Sequence, residues 1–183
     1  MSREKLIGHL SDYLSRWGEE YETVQRFIDF VSSRSDCFER ELSVGHVTGS
    51  AWVVNRECTH VLLTHHRKLN RWLQLGGHAD GDSNTLRVAL REVKEESGLE
   101  RIQPIGDEIF DVDIHRIPAR GHEAEHFHYD VRYAVQSLGD DHYKVSDESH
   151  DLGWIEIRNL DRVTDEVSML RMAKKWKRRV GLE

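Results

Sequence analysis

The sequence is compatible with an α/β protein, because it contains stretches with the period of a β-strand and stretches with the period of an α-helix. Between residues 126 and 135, Phe, Tyr and Val occupy every second position, which is typical of a half-buried strand. Between residues 86 and 93, apolar residues recur three and four positions apart, which predicts an amphipathic helix. Apolar patterns of helical spacing also lie near both ends of the chain.

Size and charge limit the classes of function. A chain of 183 residues can bury a core as one domain, or as one domain with a helical extension. Its net charge of −7 disfavours non-specific binding to nucleic acid. The sequence contains no apolar run long enough to cross a bilayer, no secretory signal at its charged start, and no CxxC motif around Cys37 or Cys58. We therefore expect a cytoplasmic protein without a membrane partner, for which a nucleic-acid partner is disfavoured.

Two helices are expected before the main domain. Their apolar residues follow helical spacing and are Leu6, Leu10, Leu14 and Trp17, then Tyr21, Val24, Ile28 and Val31. We assign residues 1–40 to an N-terminal helical extension and residues 41–183 to the main domain. The extension has three open roles, which are docking on the main domain, shaping the substrate pocket and forming a homodimer contact.

Two strands open the main domain. The segment GHVTGSAWVV, from Gly45 to Val54, is rich in β-branched and small residues, and HVLLTH, from His60 to His65, follows it after a turn. Later, residues 109–115 alternate polar with apolar side chains and predict a third strand. Residues 100–108 contain Pro104 and Gly106 and are expected to be a connection without a strand.

The C-terminal region is expected to hold a strand around residues 154–157 and a helix from about Asp165 to Arg179. The basic segment RMAKKWKRR, residues 171–179, has two interpretations. It is a phosphate-binding patch, or it is the wet face of an amphipathic helix whose positive charges suit the helix C-terminus. The spacing of Met169, Met172 and Trp176 favours the second interpretation.

The stretch GGHADGDSNTLRVALREVKEESGL, residues 76–99, combines a glycine-rich loop with the central helix. Glu92, Glu95 and Glu96 stand three and four residues apart, so their carboxylates converge on about one helical turn. Like charges repel each other, and a bound Mg²⁺, which prefers oxygen ligands, would explain the cluster. The alternative is a charged, solvated helix face. Gly98 is expected to end the helix.

This stretch resembles the signature of the Nudix hydrolases, which is Gly, five residues, Glu, seven residues, and then Arg-Glu-aliphatic-any-Glu-Glu-any-Gly-aliphatic. Gly77 opens the match, and the second half is filled at the required spacing by Arg91, Glu92, Val93, Glu95, Glu96, Gly98 and Leu99. Ser83 stands in place of the first glutamate. The preceding segment also resembles the family, with a basic cluster at residues 65–68, Trp72 and the paired glycines, although Leu75 replaces a common proline.

The resemblance implies an α/β/α sandwich with a mixed sheet, and hydrolysis of a nucleoside diphosphate linked to another group by water that attacks phosphorus. It implies Mg²⁺, with Mn²⁺ as a substitute, bound by Glu95, Glu96 and the carbonyl of Gly76. It implies that Glu92 is an auxiliary ligand or the general base. Arg91 would support the loop by pairing with the first glutamate of the signature.

Because Ser83 replaces that glutamate, Arg91 needs another partner, for which Asp80, Asp82 and a substrate phosphate are candidates. Ser83 itself is expected to cap the helix, whose N-terminus then attracts phosphate. The acids that could replace the missing glutamate are Asp80, Asp82, Glu123 and Glu125, and Glu148 could add a remote carboxylate.

Substrate contacts are expected from Arg67, Trp72 and Gly77 around the paired glycines. Trp72 has two open interpretations, a ring that stacks on a base and a core tryptophan. In the strand HFHYDVRYAV, the side chains of His126, His128, Asp130 and Arg132 share one face. Two interpretations of this face remain open. It lines the pocket, where His126 and His128 contact phosphate or a metal and Arg132 binds phosphate, or it is the wet face of an antiparallel sheet.

Three further hypotheses compete with a pyrophosphohydrolase. A non-catalytic Nudix-like domain that binds a nucleotide or a protein is favoured by Ser83 and disfavoured by the intact acid triplet. An isomerase on the same fold needs a nucleophilic cysteine, and neither Cys37 nor Cys58 occupies a suitable place. A cupin-like metal site on His126 and His128 lacks the glutamate that usually follows closely.

Overall fold

A computed structural model describes residues 2–66, 70–121, 124–139, 142–145 and 149–182. The predictions for Arg67, Glu123 and Glu148 lie outside these residues. The helices are α1 (Arg3–Arg16), α2 (Tyr21–Ser33), α3 (Thr85–Ser97) and α4 (Val167–Val180), with short 3-10 segments at Gly18–Glu20 and Ile157–Arg162. The strands are β1 (Gly45–Val54), β2 (His60–His66), β3 (Arg71–Leu73), β4 (Leu75–His78), β5 (Ile102–Pro104), β6 (Asp111–Ile117), β7 (His126–Ser137) and β8 (Ser149–Glu156).

The strands are hydrogen-bonded into one mixed sheet, which confirms the expected α/β class. Its order is β3-β2-β1-β7-β5, while β4 pairs with β1, β6 with β7 and β8 with β2. The predicted pairing of the first two strands is present, with Val53 opposite Leu62. None of the helices within the described ranges is long and apolar enough to span a bilayer.

By spatial proximity the chain divides into two compact units. The first unit contains residues 1–50, 77–89 and 107–133, and the second contains residues 51–76, 90–106 and 134–183.

In the first unit, the N-terminal helices pack on β7. The rings of Phe30 and Tyr129 stack with centroids 3.8 Å apart, and Phe27 meets Tyr129 edge-on at 5.4 Å. The guanidinium of Arg26 lies 4.5 Å from the centroid of Phe127. Buried aromatic contacts of this kind stabilise a docked helix pair. Of the three roles considered for the extension, docking is therefore the one seen within this unit.

In the second unit, β2 is paired with β1, β3 and β8, and Val61, Leu62 and Leu63 are fully buried. Helix α4 buries Trp176, whose Nε1 donates a 3.0 Å hydrogen bond to the carbonyl of Cys58. The amphipathic interpretation of the basic segment is thus confirmed.

Several elements differ from the prediction, among them β3, which was not predicted, and β6, which runs from Asp111 to Ile117 where residues 109–115 were expected. Strand β5 forms inside the expected connection, and Pro104 is tolerated because it is the last residue of a terminal strand. Strand β4 includes the paired glycines that were expected to be loop. Strand β8 starts earlier, at Ser149, because backbone pairing along β2 extends the strand through a polar segment that has no apolar alternation.

Candidate active site

Helix α3 forms where the signature predicts it. Ala89 and Val93 of the predicted apolar stripe are fully buried, and Val88 is buried with them. Gly98 has φ +68° and donates its N–H to the carbonyl of Lys94 at 2.8 Å, so it ends the helix in the left-handed conformation as expected.

The start of this helix differs from the prediction. The helix begins at Thr85, and Asn84, not Ser83, acts as the N-cap, since Asn84 Oδ1 accepts a 3.2 Å hydrogen bond from the N–H of Arg87. Asp82 is held by the guanidinium of Arg87 through two hydrogen bonds of 2.7 Å. These hydrogen bonds lower the pKa of the Asp82 carboxyl. Asp82 is therefore engaged by Arg87, a partner that the signature alone did not suggest.

Arg91 contacts the acids of its own helix. Its Nη2 lies 2.7 Å from Glu92 Oε1, and its Nε lies 3.9 Å from Glu95 Oε1. The Glu92 side chain is 15% exposed, whereas that of Glu95 is 63% exposed. The positive charge of Arg91 thus reduces the repulsion between the carboxylates of Glu92 and Glu95.

The third glutamate is tied to the paired glycines. Glu96 Oε1 accepts a 2.9 Å hydrogen bond from the backbone N–H of Gly76, which is part of β4. Glu96 therefore contacts Gly76, the residue whose carbonyl oxygen the family resemblance implies as a metal ligand. Both residues belong to the second unit, as do Arg91, Glu92 and Glu95.

The structure gives Trp72 two neighbours. Its ring is half-buried on β3, stacks on the ring of His65 at a centroid distance of 5.1 Å, and lies against Gly153. Gly77, which was predicted together with Trp72 as a substrate contact, is half-buried on β4. One stacking face of Trp72 is therefore already covered by an imidazole.

On the polar face of β7, Asp130 and Arg132 are buried and His126 and His128 are half-buried, so the face is not the wet side of a sheet. Arg132 is only 2% exposed and forms ion pairs with Asp130 at 2.7 Å, Asp111 at 3.1 Å and Asp113 at 3.4 Å. Buried charges require such partners because leaving water is costly for an ion. We therefore assign Arg132 a structural role and leave it out of the proposed substrate contacts.

Beside this network, the first unit contains a cluster of histidines. His46 on β1, His78 on β4 and His128 on β7 each offer one ring nitrogen, and these three nitrogens lie within 4.8 Å of one another. His126 lies next to them, with its ring centroid 5.1 Å from that of His46 and 5.3 Å from that of His128. Sequence reasoning singled out His126 and His128 but missed His46 and His78, because nothing local shows that strands β1 and β4 bring them together.

Burial sets the charge state of this cluster. His46 is 2% exposed, and burial, then the nearby His78, lowers its pKa to about 4. Burial, followed by the proximity of His115, lowers the pKa of His128 to about 2. Both imidazoles are therefore neutral near pH 7, and neither ring nitrogen of His46 has a hydrogen-bond partner among the described residues. An unsatisfied buried polar atom costs about 1–3 kcal/mol, so the arrangement calls for an explanation.

Comparisons with known proteins place these features in a family. The model of the NUDIX domain matches residues 45–176. A comparison with curated proteins finds no match.

Three solved structures share the fold. A C. elegans Ap4A hydrolase superposes with a TM-score of 0.60 at 17% identity, covering 75% of this chain and 98% of that one. The E. coli dihydroneopterin triphosphate pyrophosphohydrolase gives 0.52 at 13% identity, covering 75% and 96%. The NUDIX domain of Shewanella oneidensis NrtR, solved with ADP ribose, gives 0.52 at 14% identity, covering 83% and 97%.

The family match covers the helix with its acid triplet, the paired glycines and the strands on both sides of them. The implied Nudix-type fold is confirmed by the structural likeness. The chain therefore belongs to the NUDIX domain family.

Proposed function

We propose that this protein hydrolyses a nucleoside diphosphate linked to another group, with water attacking phosphorus, and that a divalent cation assists the reaction. The observation that carries the proposal is the hydrogen bond between Glu96 and the backbone of Gly76. It links the acid triplet of α3 to the paired glycines. Because glycine has no side chain, a phosphate can approach the backbone closely there.

The donor set suits Mg²⁺ or Mn²⁺. Carboxylate oxygens of Glu95 and Glu96 and the carbonyl oxygen of Gly76 are hard ligands of the kind these ions prefer. When bound, such an ion neutralises charge on the diphosphate and lowers the pKa of a coordinated water. Glu95 is 63% exposed and is free to turn toward an ion without leaving a buried site.

The protein's own residues would then position the reacting groups. Glu92 is the candidate general base or auxiliary ligand, and its 2.7 Å contact with Arg91 orients its carboxylate. Trp72 is the candidate platform for a base, since an aromatic ring stacks on any nucleobase. His126 and His128, which belong to the first unit, stay candidate phosphate contacts.

The neighbours suggest which substrates to test first. The solved structures include an Ap4A hydrolase, a dihydroneopterin triphosphate pyrophosphohydrolase and a domain bound to ADP ribose. A panel of dinucleoside polyphosphates, nucleoside triphosphates, nucleotide sugars and ADP-ribose, assayed with Mg²⁺ and with Mn²⁺, should give metal-dependent release of phosphate or mononucleotide from at least one class. No turnover of any member with either ion would refute the proposed activity.

Glu95→Gln is the sharpest variant for this test. The side chain is exposed, so folding should be unaffected, whereas loss of a metal ligand should slow turnover by about 100-fold or more. Glu100→Gln, an exposed glutamate just after the signature, is the matched control and should keep the rate. Equal rates in both variants would remove Glu95 from the site.

A second candidate is a domain that binds nucleotides without hydrolysing them. Ser83 in place of the first signature glutamate favours it, as does the engagement of Asp82 by Arg87. Calorimetry with ADP-ribose distinguishes the two, because tight binding without product after prolonged incubation supports the binding domain and excludes the hydrolase for that ligand. For either function, a cytoplasmic location and a small-molecule partner remain our proposals.

A further inference from the structure

The histidine cluster consists of residues that the NUDIX signature does not use as metal ligands. His46, His78 and His128 come from three different strands, and one ring nitrogen of each lies within 4.8 Å of the other two. All three belong to the first unit, whereas the glutamates proposed for Mg²⁺ belong to the second. The cluster therefore has its own set of ligands.

The buried nitrogens point to something that is bound. His46 is 2% exposed, and in the described part of the chain neither of its ring nitrogens, nor Nε2 of His128, has a hydrogen-bond partner. Buried polar atoms in folded proteins almost always have partners. A group that accepts electron pairs would satisfy one ring nitrogen of His46 and one of His128 at the same time.

The backbone holds the cluster in place. A side-chain carbon on Gly45 would overlap the carbonyl oxygen of Phe127, so the missing side chain lets β1 lie directly against β7 at this point. Gly45 immediately precedes His46, and Phe127 immediately precedes His128. The close approach of these two backbones therefore brings the two imidazoles together.

We propose that His46, His78 and His128 form a binding site for one first-row transition-metal ion of the Zn²⁺ class. Imidazole nitrogen is a preferred ligand of Zn²⁺, Co²⁺ and Ni²⁺ and a poor one for Mg²⁺, which demands oxygen. In a tetrahedral Zn²⁺ site with bonds of about 2.0–2.1 Å, the ligand nitrogens lie roughly 3.4 Å apart. Side-chain rotations that move the nitrogens by on the order of 1 Å are sufficient to close the cluster.

Three histidines leave a position open for a further ligand. His126 is a candidate, because its Nδ1 lies 2.9 Å from the carbonyl of Ala124. A carbonyl only accepts, so Nδ1 carries the proton and Nε2 keeps its lone pair. A water or a substrate oxygen is the other candidate, as in zinc sites with three protein ligands.

The first test uses the unmodified full chain and needs no activity assay. Protein freed of metal with EDTA is titrated with Co²⁺ and then with Zn²⁺, while the visible absorption of Co²⁺ and the bound metal content are measured. We expect one tightly bound equivalent of either ion, in addition to weaker binding at the acid triplet, and X-ray absorption at one equivalent of zinc should show about three imidazole ligands. Absence of a bound equivalent, or a shell made of oxygen alone, would overturn the proposal.

Variants identify the ligands. His78→Ala, His46→Asn and His128→Asn should each weaken binding by about 100-fold or more, since even outer-shell changes cost 10–100-fold. His142→Ala, at an exposed histidine, and Glu96→Gln, in the acid triplet, should bind as the parent does. Loss of binding in Glu96→Gln but not in His78→Ala would assign the ion to the glutamates and refute the histidine site.

All three histidines are partly or fully buried, so folding must be checked by circular dichroism. If His46→Asn fails to fold, the His78→Ala variant, at a half-buried position, and the spectra of the unmodified protein still test whether the histidines bind the metal. Zn²⁺ should also raise the melting temperature of the parent and leave that of His78→Ala unchanged, because a ligand stabilises only the state that binds it. The proposal stands independently of the hydrolase activity.

Discussion

Glu96 Oε1 accepts a hydrogen bond of 2.9 Å from the backbone N–H of Gly76, across 20 residues of sequence. This single contact joins the end of the signature helix to the strand that carries the paired glycines. The Glu96 carboxylate has two properties that can be tested separately. Its oxygen accepts the hydrogen bond from Gly76, and its negative charge is available to a cation.

Glu96→Gln and Glu96→Ala separate these components. Glutamine keeps an oxygen that can accept from Gly76, so its stability should match the parent, while alanine should lose about 1 kcal/mol. Both should lower turnover by about 100-fold or more, because both remove the charge. Thermal melts and rates on the best substrate of the panel measure the two effects, and a Gln variant with normal turnover would show that the charge is not needed.

Replacement of Arg132 tests the buried ionic network. Arg132→Met removes the buried guanidinium that pairs with Asp111, Asp113 and Asp130, and the loss of these buried ion pairs should destabilise the fold by about 3–5 kcal/mol. Urea denaturation provides the measurement. Arg116→Met is the matched control, because Arg116 is 61% exposed in its pair with Glu125 and should change stability by about 1 kcal/mol or less.

Two glycine substitutions should have opposite signs. Gly45→Ala places a carbon against the carbonyl of Phe127 at φ +141°, so we expect a loss of about 1–3 kcal/mol. Gly8→Ala lies in α1, where a side-chain carbon would contact nothing within 4 Å, and should stabilise by up to about 1 kcal/mol through helix propensity. Chemical denaturation of both variants measures these changes in the free energy of unfolding. If Gly45→Ala were as stable as the parent, the close approach of β1 to Phe127 would be contradicted.

The two thiols should react at different rates. Cys37 is fully buried, and burial raises its pKa to about 11, so almost none of it is thiolate at pH 8. Cys58 is half-buried and free. A thiol reagent at pH 8 should therefore modify one cysteine quickly in the folded protein and both in denaturant. Two fast thiols in the folded state would mean that Cys37 is accessible, and Cys37→Ser identifies which residue reacts.

Much of the architecture is readable from local pattern. The alternation at residues 126–135, the apolar stripe of α3 and Gly98 each specify their element through side-chain period or backbone freedom, which are properties of neighbouring residues. Strand β5 escaped prediction because a segment of three residues containing Pro104 has no detectable period. Its strand character comes from pairing with β7, which is a tertiary interaction.

The sequence by itself determined the family, the signature helix and the acids on one turn of it, because these depend on spacing within a short segment. Only the tertiary structure decided that Arg132 is enclosed by aspartates, that Glu96 reaches Gly76, and that three histidines meet. His46, His78 and His128 lie on separate strands, and their proximity depends on strand pairing across long stretches of chain, where no local period carries the information.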